Sequence, residues 1–191
     1  MRVVLFNGSP RHDGNTALLL RTVAEELEKA AIRTELVQVG GRAIRGCAAC
    51  FRCADTMDRK CALPDDGVNG WIEKMAQADG IVLGSPVYFG TVTAEMKALM
   101  DRCGMTCRMN GDLLRRKAGA AVVAVRRAGA ICAFDTLNHF FTIAEMVVPG
   151  SSYWNVAYGL EKGEVSGDEE GMATMRRLGE NMAWLLGKLK A

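Results

Sequence analysis

The chain has 191 residues, of which 49% are hydrophobic and 24% charged, with 24 Lys and Arg against 22 Asp and Glu. A net charge of +2 without any basic run argues against a nucleic-acid partner that works by phosphate neutralisation. Near-average composition over this length fits one α/β domain spanning 1–191. Seven cysteines, with no basic leader, no h-region and no apolar run of membrane-spanning length, lead us to expect a cytoplasmic protein with reduced or metal-bound thiols and no membrane partner.

In chain order, strand-like runs at Arg2–Asn7, Arg33–Val39, Gly80–Ser85 and Ala118–Val125, and a short one at Met146–Val148, alternate with helix-period segments. Those segments are Thr16–Ala31, Val68–Ala78, Thr93–Cys103, Ile131–Glu145 and Asp168–Leu189. Ile81-Val82-Leu83 and Ala121 to Val125 are apolar throughout, as parallel strands covered on both faces must be. The pattern predicts a doubly wound five-stranded parallel sheet with helices on both faces, and reads 151–167 as a long connection.

The first strand runs directly into Gly8-Ser9-Pro10-Arg11-His12-Asp13-Gly14-Asn15-Thr16. A strand that turns sharply into a helix presents unpaired N–H groups at the positive end of the helix dipole, which favours a phosphate. Ser9, Asn15 and Thr16 add short donors and Arg11 adds a charge; Gly8 and Gly14 permit the turn, with Pro10 inside it. There is no Gly-x-Gly-x-x-Gly and no Walker Lys-Ser/Thr, so neither NAD on this loop nor ATP hydrolysis is indicated.

Ligands of such sheets lie at the carboxyl ends of the strands, so the loops after strands one, three and four should converge. The third carries Pro86-Val87-Tyr88-Phe89-Gly90 and the fourth Arg126-Arg127. Tyr88 and Phe89 offer surface to an isoalloxazine ring, or else pack beneath the loop; the arginines would stabilise negative charge on a reduced ring, or else stand in solvent. Together the three loops suggest flavin mononucleotide (FMN).

Between the second strand and the next helix, a cysteine-rich loop at about 46–66 carries Cys47-x2-Cys50-x2-Cys53-x7-Cys61. Four thiols this close can surround one iron–sulfur cluster at little loop-closure cost, whereas zinc prefers two separated knuckles. Arg45, Arg52, Arg59 and Lys60 either offset cluster charge or form a solvated face. Cys103, Cys107 and Cys132 read as core, and neither His12 nor His139 has a nucleophile partner for hydrolysis. The aromatic stretches Phe134 to Phe141 and Tyr153-Trp154 serve either the core or a subunit interface.

Gly8 to Arg11 with Gly14-Asn15-Thr16, Gly84-Ser85-Pro86-Val87-Tyr88-Phe89-Gly90 and Asp101-Arg102 together resemble the NADPH-dependent FMN reductase and iron-sulfur flavoprotein group over nearly the whole chain. The resemblance implies a flavodoxin-like fold with strand order 2-1-3-4-5 and FMN held through Ser9, Arg11, Asn15 and Thr16 at the phosphate and residues 86–90 at the ring. It further implies a homodimer or homotetramer, with NAD(P)H as donor and a small-molecule acceptor such as a quinone or flavin. By the same likeness the four cysteines hold a [4Fe-4S] cluster that exchanges electrons with a ferredoxin-like partner. Members that lack the cluster and work with FMN alone leave the alternative of four free thiols.

Overall fold

In the computed structural model, residues 1–64 and 66–190 are described. β1 (Arg2–Asn7), β2 (Arg33–Gln38), β3 (Gly80–Pro86), β4 (Ala118–Val125) and β5 (Val156–Tyr158) form one parallel sheet in the order β2-β1-β3-β4-β5. This is the order that the resemblance implied. The helices are α1 (Asn15–Lys29), α2 (Arg52–Thr56), α3 (Val68–Gln77), α4 (Ala94–Met109), α5 (Ala130–Ile143) and α6 (Glu169–Lys190), with a 3₁₀ turn at Glu164–Gly167 before the last.

Successive strand residues feed opposite faces, as the two-residue period of a strand requires. Val3 and Leu5 join Val82, Val122 and Ala124 beneath α1 and α6, where Leu19, Leu20, Val23, Met175, Leu178 and Met182 complete the layer. Val4 and Phe6 join Ile81, Leu83, Ala121 and Val123 beneath α3, α4 and α5, packed by Ile72, Met75, Met96, Leu99 and Phe141. Among the described residues no helix is long and apolar enough to cross a membrane.

Two expectations need correction. Met146–Val148 is not the fifth strand: Val147 makes one bridge to Ala118 at the start of β4, and Pro149 follows at once, removing a donor and stopping the ladder. The fifth strand lies inside the supposed connection, where Val156, Ala157 and Tyr158 pair with Val123, Ala124 and Val125. α4 runs on to Met109 rather than ending at Cys103. Gly104 is no break there. It faces the Phe140 ring of α5, which an added Cβ would meet at 3.2 Å.

Of the aromatic stretches, Phe140 and Phe141 are buried, whereas Tyr153 and Trp154 stand exposed, with ring centroids 4.9 Å apart. Cys132 is exposed rather than core, because its position on α5 falls on the side turned from the sheet, beside a cavity shared with Tyr153 and Trp154.

Candidate functional site

The carboxyl ends of β1, β3 and β4 converge as expected. Gly8 N–H donates to Gly84 O at 2.7 Å, and Val87 N–H donates to Ala124 O at 3.0 Å. Thr93, the residue capping α4, ties the first two loops together. Its hydroxyl donates to Gly8 O at 2.8 Å and accepts from Met96 N–H, while its own N–H donates to Ser85 Oγ at 3.1 Å.

The loop after β1 is shaped from beneath by polar side chains. Asn7 accepts from Ser9 N–H at 3.0 Å and donates to Gln38 Oε1 at 2.7 Å; Gln38 in turn donates to the carbonyls of Ser9 and Gly40 at 2.6 and 2.7 Å. Gly40 lies so close that a Cβ there would stand 2.2 Å from the Ser9 carbonyl carbon. Ser9 is buried and its Oγ accepts from Arg11 N–H, which leaves its proton to donate.

Gly14 caps α1 without a side-chain hydrogen bond, and the first-turn N–H groups of Asn15, Thr16 and Ala17 have no partner among the described residues. Thr16 is 1% exposed, yet its hydroxyl makes no hydrogen bond among those residues. This donor set fits a phosphate. The Asn15 side chain is engaged elsewhere: it donates to Glu161 O at 2.9 Å and accepts from Gly163 N–H at 2.8 Å, so its own N–H is what it brings to the cradle. Pro10 and Arg11 are exposed at the rim.

The loop after β3 closes as a tight turn in which Tyr88 and Thr91 exchange backbone hydrogen bonds of 2.9 and 3.1 Å. Its central residues have positive φ, +46° at Phe89 and +86° at Gly90, the requirement of a type I′ turn. Tyr88 is exposed and Phe89 entirely so; neither packs under the loop. Pro86 and Val87 are half-buried behind them, and Val87 and Gly90 abut Gly129 of the fourth loop. Arg126 and Arg127 are exposed, Arg127 beside a cavity that also borders Trp154 and Tyr158.

The second site is built on α4. Cys47, Cys50, Cys53 and Cys61 line one cavity of about 20 Å³ together with Arg102 and Thr106. Arg102, Thr106 and Asn110 recur every four residues and therefore share one helix face. Arg102 Nε donates to Cys61 Sγ at 3.3 Å. Asn110 donates to Cys53 O at 3.0 Å and accepts from Arg59 N–H at 2.9 Å. On the α3 side, Asn69 brackets Cys61, accepting from its N–H at 2.8 Å and donating to its carbonyl at 3.1 Å.

Cys47 and Cys50 are exposed, so the outer wall of the cavity is loop. Among the described residues no three Cys, His, Asp or Glu side chains gather tightly enough for a single metal ion. One zinc needs all four sulfurs at about 2.3 Å, whereas a cluster takes one thiolate at each corner, and thiols spread around a cavity suit the latter. Arg102 Nη2 is buried without a hydrogen-bond partner among the described residues, and a cluster would supply the missing acceptor.

Burial pushes the Cys53 thiol above its ordinary value, with the Thr106 hydroxyl acting against it. Cys107 is pushed up to about 12 by burial and Cys103 well above its ordinary value for the same reason; both remain thiols and stand apart from the ligand set. Burial alone would lower Arg102, but Asp66 and Cys61 outweigh it and hold the guanidinium above its usual value.

The profile of the NADPH-dependent FMN reductase family matches residues 1–161. The chain belongs to that family. An iron-sulfur flavoprotein of Methanocaldococcus jannaschii is 36% identical to it over 197 residues, covering 100% of both chains. Another, of Methanosarcina thermophila, is 30% identical over 154 residues, 80% of this chain and 78% of the relative. Among solved structures, an NAD(P)H:quinone oxidoreductase from Methanothermobacter marburgensis is similar with a TM-score of 0.71 at 16% identity, covering 95% of this chain and 96% of the other. That likeness shows the flavodoxin-like fold alone.

This FMN reductase family member carries site residues that sequence reasoning passed over: Asn7, Gln38 and Gly40 under the cradle, and Thr106, Asn110, Asn69 and Asp66 around the cysteines. A signal existed for the α4 set, since polar residues at 102, 106 and 110 interrupt an otherwise core-facing stripe. Arg45, Arg52, Arg59 and Lys60, read as either charge partners or a solvated face, are all exposed, and the cation that reaches a cysteine sulfur is Arg102.

Proposed function

We propose that this flavoprotein is an iron-sulfur flavoprotein, an electron-transfer oxidoreductase that holds FMN at the ends of β1, β3 and β4 and a [4Fe-4S] cluster on Cys47, Cys50, Cys53 and Cys61. The observation that carries the reading is the convergence of the four cysteines on one cavity that also contains a buried guanidinium with an N–H unused among the described residues. FMN, when bound, supplies exchange of electron pairs and the cluster supplies single electrons, so the pair joins two-electron donors to one-electron partners.

In this reading the protein's own residues bind and orient. Ser9, Thr16 and the first-turn N–H groups of α1 hold the phosphate. The turn at Tyr88 to Gly90 borders the ring and leaves its outer side open to a nicotinamide or a small acceptor, with Arg126 and Arg127 stabilising negative charge on the pyrimidine side. α4 joins the two sites. Thr93 at its start braces the FMN loops, and Arg102, nine residues on, faces the cysteines, an axial separation of about 14 Å at 1.5 Å per residue. Exchange with a ferredoxin-like partner at the exposed rim of Cys47 and Cys50, and assembly as a homodimer or homotetramer through exposed aromatics such as Trp154, belong to the same proposal.

The test is a visible spectrum with iron, sulfide and flavin analysis on protein purified without oxygen, followed by addition of NADPH, NADH or reduced ferredoxin. The reading expects flavin bands, a broad charge-transfer shoulder and about four irons per chain. Flavin without iron, bleached by NAD(P)H alone, would replace it with an FMN-only reductase carrying four free thiols.

A further inference from the structure

We propose that Arg102 is the positioning and charge-compensating residue of the cluster, raising its reduction potential; this rests on the cluster assignment made above. Arg102 is the largest fully buried side chain among the described residues. Nothing in the hydrophobic layer calls for a guanidinium at this point of α4, and burying one is costly unless its charge and its donors are answered. Nε is answered by Cys61 Sγ at 3.3 Å, and Nη1 by the Asp66 carboxylate and, at 3.5 Å, by Arg45 O. Nη2 is answered by nothing among the described residues, although the side chain lines the cavity with all four cysteines.

A cluster on four thiolates carries net negative charge and presents sulfur acceptors, which is the chemistry that this open donor lacks. Reduction adds one electron and makes the cluster more negative without forming a bond. A fixed positive charge and N–H···S hydrogen bonds therefore stabilise the reduced form more than the oxidised one. Asp66 works in the opposite sense, since its carboxylate partly neutralises Arg102 from the far side of the cavity wall. The pair Arg102 and Asp66 is thus a built-in setting of the potential, and its two members shift it in opposite directions.

The experiment is anaerobic potentiometric titration of R102M, R102K and D66N beside wild type, with iron and flavin content measured on each. The midpoint of the cluster is expected to move to more negative values in R102M, to move less in R102K, and to move to more positive values in D66N. The flavin midpoint should shift less than that of the cluster in each. A chelator should strip iron several-fold faster from R102M than from wild type. R102M with a wild-type midpoint, or D66N moving in the same direction as R102M, overturns the assignment and makes Arg102 a packing residue. If R102M does not accumulate as folded protein, the opposite signs expected of R102K and D66N decide. Wild type that assembles no cluster overturns the proposed function itself, and this inference with it; wild type with a cluster indifferent to all three substitutions overturns the inference alone.

Discussion

Gly40→Ala should abolish tight FMN binding without touching any residue that contacts the flavin ring. A Cβ at this position would stand 2.2 Å from the Ser9 carbonyl carbon, 2.3 Å from its oxygen and 2.4 Å from Gly8 O. Since carbon contacts settle no closer than about 3.5 Å, the two backbones must part by about 1.3 Å. The bridge from Gln38 to the carbonyls of Ser9 and Gly40, at 2.6 and 2.7 Å, cannot span the wider gap. The cradle donors then miss the phosphate. Hydrogen bonds to a charged group are each worth about 1.5–3 kcal/mol, so losing two costs about 3–6 kcal/mol, or roughly a hundred- to ten-thousandfold in Kd. Titrating the apoprotein by flavin fluorescence with FMN and with riboflavin isolates the effect, because only FMN carries the phosphate. G40A should bind FMN little better than riboflavin, with circular dichroism confirming that the sheet is intact. An FMN-to-riboflavin affinity ratio equal to that of wild type would refute the cradle.

Asn110→Ala removes hydrogen bonds to Cys53 O, Thr106 O and Arg59 N, and should lower stability by about 2–3 kcal/mol in denaturant unfolding and speed iron loss while FMN content stays constant. Cys107→Ser should leave iron stoichiometry at the wild-type value, since Cys107 lines a different cavity from the one the four cysteines share; a loss of iron in direct assay would put Cys107 in the ligand set. Asp79→Asn should cost about 1 kcal/mol near neutral pH. The wild-type carboxylate accepts from Arg2 N–H at 2.8 Å and pairs with Lys190 at 2.9 Å, contacts that outweigh the opposing effect of burial and hold it below the ordinary carboxylate value. A depressed folded pKa gives stability that is present above the unfolded value and lost as pH falls through the folded one. The melting-temperature difference between D79N and wild type should therefore shrink on acidification below pH about 4.

The parts of the fold that could be read from the sequence were those where burial imposes a long pattern. β1 to β4 and the long helices announce themselves because apolar runs and 3.6-residue periodicity reflect a sheet covered on both faces. β5 does not, since Val156-Ala157-Tyr158 is only three residues long and is a strand because β4 lies beside it. α2 is similarly invisible, being five residues within the cysteine loop and held by α4. In the candidate sites, residues whose chemistry is local to a motif, such as Ser9, Thr16 and the four cysteines, could be named in advance. Those that act across the fold could not: Gln38 reaches the cradle from a neighbouring strand, Asn110 reaches Cys53 from 57 positions away, and the side chain of Asn15 is diverted to a loop 146 residues distant. Periodicity carries no record of such pairings.

α4 has a consequence for how the chain can vary in length. A helix is a rigid ruler with an angular scale: one inserted residue advances everything beyond it by about 1.5 Å and turns it by about 100°. Between Thr93, which braces the flavin loops, and Arg102, which meets Cys61, an insertion or deletion would swing the arginine away from the cysteines while leaving the helix intact. The interval from 93 to 110 should therefore admit substitutions but no change of count.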